Sequence, residues 1–561
     1  MRWVRAISSQ VEEAAETLGG KAVGLVLLHR LGLPVPAGFV ITTQACRAFL
    51  RDGRLPDGLD DELATAIADL EVTAGRSFGG PRRPLAVSVR SGAGVSMPGM
   101  MSTILNLGLT TEATAGLAVE TGDRPFALNS RLRFLSSFAS AVTNADAGGV
   151  GNASDAGDAG DAGDAGVGHG EDPGRGTKDE ETRLADAMKA IEEFVRQRSG
   201  QPIPDDATRQ LASAVEAVFS SWDTPRARTY RALHDIPHDL GTAVIVQTMV
   251  FGNRDDHSGT GVAFSRDPNT GENIPFGEVL FGHQGEDVVS GRSTTRPLRE
   301  LAEREPAVWA ELLDALNRIE GHYRDSCYIE FTFQAGELWV LQVRPGRFVG
   351  GAAVRVATEL AEERVIGRHE ALLRISPRHL RQVRTPRIAS SEEADVFARG
   401  LGACPGVAVG HVATTADRAV RMAQGGALVV LVRPETSPHD MHGLAAATGI
   451  VTARGGPASH AAVVARAMER PAVVGIAGLT VDAGNGTVTA GGRTIGDGTL
   501  ITIDGTSGEV VLGRPRIVAN AADEHLHRLL AWADDTSGDH SRRGESQRLE
   551  AAHAALRASG A

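Results

Sequence analysis

Cysteine is scarce in this chain. The three present, Cys46, Cys327 and Cys404, lie far apart and match no metal-binding spacing. They argue against a disulfide framework and fit a reducing compartment, so a cytoplasmic protein is expected. Aromatic residues make up only 4% of the chain. No apolar run approaches the ~20 residues that span a bilayer, and no membrane partner is expected. The N-terminal stretch MRWVRAISSQVEEAAETLGG lacks the apolar core of a signal peptide. Nor is there a basic stripe for nucleic acid; the net charge is −13. What is plentiful is glycine, 67 residues, within a 42% hydrophobic composition. That balance suits an α/β enzyme rich in Ala, Val, Leu and Gly. At 561 residues the chain is too long for one core, and two or three domains are expected.

The acidity is concentrated. Residues 144–181 hold ten acids and two bases, including four consecutive Asp-Ala-Gly triplets at 155–166. The spacing matches no calcium loop. Nothing in the segment can build a core, so a disordered insert is expected over 144–181. An α/β segment precedes it, and helical periodicity follows over 182–235. Strand patterns return at 242–250, 261–264 and 329–344. Residues 346–395 read as a helical linker, 396–513 as a compact unit, and 514–561 as a charged tail. That tail is expected to be partly helical and disordered over DDTSGDHSRRGESQ.

One histidine stands out. In GIVTARGGPASHAAVVARAMERPAVVG (449–475), a short buried strand leads through Gly455 and Gly456 into a turn. Ser459 then caps an apolar helix that begins at His460. The imidazole thus stands in the first helical turn, where free backbone N–H groups and the dipole favour an anion. Imidazole is also a usable nucleophile near neutral pH.

Other segments suit phosphate chemistry. Gly19-Gly20-Lys21 opens an apolar helix, bringing N–H groups and an ammonium together. A strand delivers Arg90, whose planar fork suits polyphosphate, into a loop carrying Met97, Met100 and Met101. Those methionines could fill core or pack on a purine face. In the hairpin at 328–344, Ile329, Phe331 and Phe333 alternate with Tyr328, Glu330 and Thr332. On its second strand, Trp339, Leu341 and Val343 alternate with Val340, Gln342 and Arg344. With a three-residue loop, 335–337, Glu330 faces Gln342 and Tyr328 faces Arg344. A carboxylate opposite an amide oxygen, beside an arginine, suits Mg²⁺ bridging phosphate oxygens.

Together these segments resemble the pyruvate phosphate dikinase family of phosphoenolpyruvate-utilising enzymes. The resemblance rests on GGK (19–21), VSVRSGA (87–93), VSMPGMM (95–101), VQTMVFGN (246–253), SGTGVAF (258–264), QGEDVV (284–289), IEFT (329–332), LQVR (341–344) and the histidine run. It implies an ATP-grasp nucleotide-binding domain over 1–345 and a swivelling β/β/α phosphohistidine domain over 396–513. It implies that Lys21, Arg90 and Arg344 hold phosphates and that Glu330 and Gln342 hold Mg²⁺. Met101, Gln247, Met249 and Glu278 are then expected at the nucleotide, and Nε2 of His460 is the atom phosphorylated, with ATP and inorganic phosphate as substrates.

Four departures qualify it. Tyr328 stands where the family has an Asp. Gly94 and Ser102 replace an Arg and an Asp. Pro457-Ala458 replace Met-Thr, so the family's regulatory hydroxyl is expected to be absent. The family's C-terminal (β/α)₈ barrel has no counterpart in these residues, so transfer to pyruvate is expected to need a separate barrel protein. Two other readings stay open: a phosphotransferase with another small-molecule acceptor, and an impaired nucleotide-binding regulator.

Overall fold

The computed structural model describes residues 3–95, 97, 100–143, 173–233, 235–290, 295–346, 348, 350–383, 386–389, 395–457, 459–519 and 524–559. The chain divides into two compact units, Met1–Val250 and Phe251–Ala561.

In the first unit an antiparallel sheet runs in the spatial order Val4–Ala6, Gly38–Ile41, Ala243–Thr248, Val87–Gly92, Thr103–Leu107. Alternation along each strand decides which face is covered. Val87, Val89, Val244 and Val246 join a core with residues of the helices Leu59–Ala74, Arg124–Thr143 and Ala207–Ser221. Ser88, Arg90, Ile245 and Gln247, one residue out of phase, take the other face. Residues 144–172 of the expected acidic insert lie outside the described residues. The remainder, 173–181, corrects the expectation of disorder, because it opens the helix Pro173–Ser199. Proline is tolerated in a first turn, and Glu181 pairs with Arg124 at 3.1 Å.

In the second unit an antiparallel sheet runs in the order Arg296–Pro297, Phe276–Phe281, Gly259–Phe264, Cys327–Gln334, Glu337–Pro345. Residues 396–513 form a three-layer sandwich. Its mixed sheet has the parallel strands Val407–Ala413, Val429–Arg433, Gly449–Thr452 and Ala472–Val474 at its centre. Val429 and Leu431 pack beneath the helices Ala416–Gln424, Met441–Ala446 and His460–Met468. Val430 and Val432 face a core shared with the small sheet Thr480–Asp482, Thr487–Ala490, Arg493–Gly496. The β/β/α layering implied by the family resemblance is therefore present, within a mixed α/β chain.

The helices Gly350–Glu362, Arg368–Arg374 and Pro377–Val383 share one core with Glu524–Ser537 and Glu545–Ala558. DDTSGDHSRRGESQ, expected to be disordered, is instead the turn of this last helical pair. Leu526, Leu529, Leu530, Leu549 and Leu556 bury on either side of it, and Arg548 donates to Asp534 across it at 3.0 Å. Among the described residues no helix is long and apolar enough to cross a membrane. The three cysteines are free and buried, and burial pushes each thiol up to about 12, far from a reactive thiolate.

A fully buried arginine links strands and helices on either side of residue 345. Arg266, just after strand Gly259–Phe264, pairs with Glu320 at 2.8 Å, Glu359 at 3.2 Å and Glu363 at 2.7 Å; Glu359 lies on the helix Gly350–Glu362 and Glu363 just past its end, both after 345. Removing one partner from a buried cluster leaves uncompensated charge. Arg266→Ala should therefore destabilise the second unit by about 3–5 kcal/mol. Chemical denaturation would check this, and a loss under about 1 kcal/mol would show that water screens the three carboxylates.

Candidate active site

The second unit holds the histidine. Strand Gly449–Thr452 runs parallel to Val429–Arg433, so the loops leaving both carboxyl ends meet. One loop carries Thr436 and then Ser437, which forms a capping box with Asp440. The other carries Gly455, left-handed at φ 84°, and Gly456, before Ser459 caps the helix His460–Met468. Thr436 Oγ1 lies 3.1 Å from Nδ1 of His460. Nε2 is buried and has no hydrogen-bond partner among the described residues. Burial holds the imidazole below its ordinary value, with Asp440 opposing. The ring is therefore neutral near pH 7. If Nδ1–H donates to the Thr436 hydroxyl, the lone pair is left on Nε2. Ser459 is buried with its hydroxyl capping the helix. Ala458 lies outside the described residues.

The sheet of the second unit carries the candidate metal and phosphate residues. Glu278 pairs with Val262, Val262 with Glu330, and Glu330 with Gln342. The two carboxylates thus stand in one lateral row, two strands or roughly 10 Å apart. In the next row Phe264, Tyr328 and Arg344 are neighbours.

The expected pairings Glu330–Gln342 and Tyr328–Arg344 both occur, but not by the expected route. The hairpin loop has two residues, Ala335 and Gly336, both with positive φ. A bulge between Glu330 and Phe331 adds the extra residue Leu341, which restores the register. The bulge also shifts the second strand's apolar face. Leu338 and Val340 are buried, not Trp339 and Leu341 as the alternation suggested; only Val343 keeps its expected side.

Gln342 is buried and donates through Nε2 to Glu330 Oε1 at 3.0 Å, while its own Oε1 has no partner among the described residues. An orphaned amide oxygen beside a carboxylate fits a hard cation that takes its remaining ligands from phosphates and water. Among the described residues no group of three or more His, Cys, Asp or Glu converges as a metal site. Tyr328 occupies the place of the expected carboxylate. Its ring packs 4.9 Å from that of Phe264, and its hydroxyl lies 3.5 Å from Glu330 Oε1. Burial pushes its phenol well up, and Glu330 adds to this against Arg344, so Tyr328 is neutral.

The first unit holds the other phosphate candidates. Gly19 packs so closely on the loop after strand Val87–Gly92 that a Cβ there would stand 1.5 Å from Gly92 O. Gly20 donates to Ala93 O at 3.0 Å, and the helix Gly20–Arg30 begins with Lys21 beside that strand. Arg90 donates to Gln247 Oε1, and Gln247 donates to Pro36 O at 3.1 Å. Met249 N donates to Ala86 O, while Ser221 holds the Met101 sulfur at 3.8 Å. Met97 and Met100 are buried core. Arg90 and Gln247 thus share one face of the sheet, with Lys21 beside the Gly92 end of Arg90's strand, and Glu278, Glu330, Gln342, Arg344 and His460 belong to the second unit.

Two residues escaped the sequence. Thr436 lies 24 positions before His460, and no local pattern links the two. Arg466, two turns into the histidine helix, donates to Ala403 O at 3.0 Å and Pro457 O at 2.6 Å. Replacing Thr436 by Val should keep the fold but release the tautomer. If His460 is phosphorylated, one neutral hydrogen bond of about 1 kcal/mol corresponds to roughly a five-fold slower transfer to it. An unchanged single-turnover rate would remove Thr436 from the site.

Residues 15–74 and 51–308 match the family described as "Pyruvate phosphate dikinase, AMP/ATP-binding domain". Residues 426–508 match "PEP-utilising enzyme, mobile domain". The chain is 41% identical over 550 residues to pyruvate, phosphate dikinase of Rhizobium meliloti, covering 95% of this chain and 60% of that one. The enzyme of Clostridium symbiosum is 40% identical, with 95% and 60% covered. Pyruvate, phosphate dikinase 2 of Zea mays is 41% identical, with 93% and 58% covered. The chain thus spans about three fifths of the length of these relatives. The ATP-binding match alone covers more than half of the chain, and the histidine helix lies inside the mobile-domain match: the chain belongs to the pyruvate phosphate dikinase family.

Proposed function

We propose that this chain phosphorylates its own His460 from ATP and inorganic phosphate, the first half of a dikinase reaction. The observation that carries the reading is the buried, unpartnered Nε2 of a neutral imidazole at a helix N-terminus. Nε2 attacks the β-phosphorus of ATP and AMP leaves. The terminal phosphoryl of the resulting pyrophosphoryl-histidine passes to inorganic phosphate, releasing pyrophosphate and leaving phospho-His460. Lys21, Arg90 and Arg344 neutralise charge on the phosphates, Met101, Gln247 and Met249 contact the nucleotide, and Glu278 lies near it. Glu330 and the orphaned oxygen of Gln342 would hold Mg²⁺, which supplies charge neutralisation at phosphate oxygens. The helix N-terminus steadies the phosphoryl group on the ring.

On this reading residues 1–345 handle the nucleotide, 346–395 link, 396–513 carry the phosphoryl group, and 514–561 brace the linker. The phosphoryl group then passes to pyruvate, giving phosphoenolpyruvate, at a barrel on a separate partner. The cytoplasm supplies both substrates. A second reading, a nucleotide-binding regulator, is favoured by one observation: neutral Tyr328 beside Glu330 where a second carboxylate was expected.

The deciding experiment is label transfer from ATP carrying ³²P at the β position, with Mg²⁺ and phosphate, to the wild type and to His460→Ala. Acid-labile label on the wild type alone is expected. ATP binding without label on either would favour the regulator. The same assay reads the imidazole. A lowered pKa means that the lone pair survives to lower pH, so the acid limb of the labelling rate should lie below the ordinary imidazole value of 6.5. A limb at or above 6.5 would contradict the burial of His460.

A further inference from the structure

Glycine at 456 is not explained by its own backbone. Gly455 needs its left-handed φ of 84°, but Gly456 has no such angle. What excludes a side chain there is Glu278: a Cβ added at Gly456 would stand 1.2 Å from its Oε1. Glu278 comes from the strand Phe276–Phe281, in the row that continues to Glu330 and Gln342. It is only 3% exposed, and Thr295 donates to its Oε1 at 3.0 Å. So the carboxylate that the sequence suggests for nucleotide contact is here packed against the turn before His460.

Two more contacts hold the same surfaces together. The Arg466 guanidinium ties down that turn through Pro457 O and lies 5.6 Å from the Phe264 ring centroid, on the strand beside Glu278. The charge of Glu278 acts on it. Asn269, from the loop between the two strands, donates to Gly402 O at 3.2 Å. These are polar and cation–ring contacts, of a kind that suits an association that forms and releases.

We infer that Glu278 is a positioning residue that receives the Gly455–Gly456 turn, so that the phosphohistidine segment docks on the sheet face carrying Glu330 and Gln342. The inference rests on the proposed phosphorylation of His460 for its purpose, though not for its geometry. Glu278 thereby has two duties in sequence: it lies near the nucleotide, and it fixes where the histidine turn sits. Arg466 keeps that turn rigid enough for the fit, and Gly456 is glycine because only a hydrogen leaves room for the carboxylate.

The test is a steric cycle in the full chain. Gly456→Ala should lower the rate of ³²P transfer to His460 at saturating ATP by more than ten-fold, with ATP affinity within two-fold of wild type. Adding Glu278→Ala to Gly456→Ala should raise the rate above that of the single variant, although Glu278→Ala alone slows the wild type. Ala at 456 meets no backbone strain, and an unchanged melting temperature would confirm folding. Amide exchange over 276–281 gives a readout without chemistry: it should rise in Gly456→Ala and fall back in the double variant. Wild-type labelling with an unaffected Gly456→Ala overturns the inference, as does a slow double variant, which would trace the defect to the turn itself. If the wild type takes no label, the phosphorylation reading fails instead. The docking contact then stands if exchange over 276–281 follows the cycle and falls if it does not.

Discussion

The proposed chemistry depends on one side-chain hydrogen bond, between Thr436 and Nδ1 of His460. A histidine has two nitrogens that compete for one proton at neutral pH, and only the nitrogen without it can attack phosphorus. With Nδ1–H donating to the Thr436 hydroxyl, the lone pair falls on Nε2, which is buried without a partner among the described residues. The bond exists because two parallel strands end side by side, so that loops 24 residues apart in sequence share one crevice. The fold of the sandwich thus sets the protonation pattern of one ring. Burial works in the same direction by disfavouring the imidazolium.

A second constraint is the lateral register of the antiparallel sheet. A carboxylate and an amide can face one cation only if their strands are aligned to the residue, since a slip of one turns a side chain to the opposite face. Here the alignment is made by a two-residue hairpin loop and a compensating bulge at Leu341. The bulge exchanges faces part-way along one strand. It thereby reconciles an apolar face built from Leu338 and Val340 with a polar one ending in Gln342 and Arg344.

Much of the histidine segment was legible because its signals are local. A buried strand, a glycine turn, a serine cap and an apolar helix each depend on residues within four positions of one another, and all four form where the sequence suggests. The Glu330–Gln342 pairing was reached too, though through a three-residue loop and strict alternation that the bulge replaces. The tail misled because its charged turn hides two amphipathic helices that become stable only on the core of the linker helices. Residues 173–181 misled for the same reason, since Glu181 finds Arg124 only in the folded unit.

The sequence by itself determined the histidine segment's local elements and the family, because capping, turn chemistry and period-two patterning are written in neighbouring residues. Tertiary structure alone decided which partners those elements meet. Thr436 reaches His460 across parallel strands, Glu278 reaches Gly456 from another sheet, and Arg266 gathers carboxylates from beyond residue 345. Contacts of that kind join residues distant in the chain, and no local pattern encodes them; they are fixed only when packing brings the two surfaces to within a few ångströms.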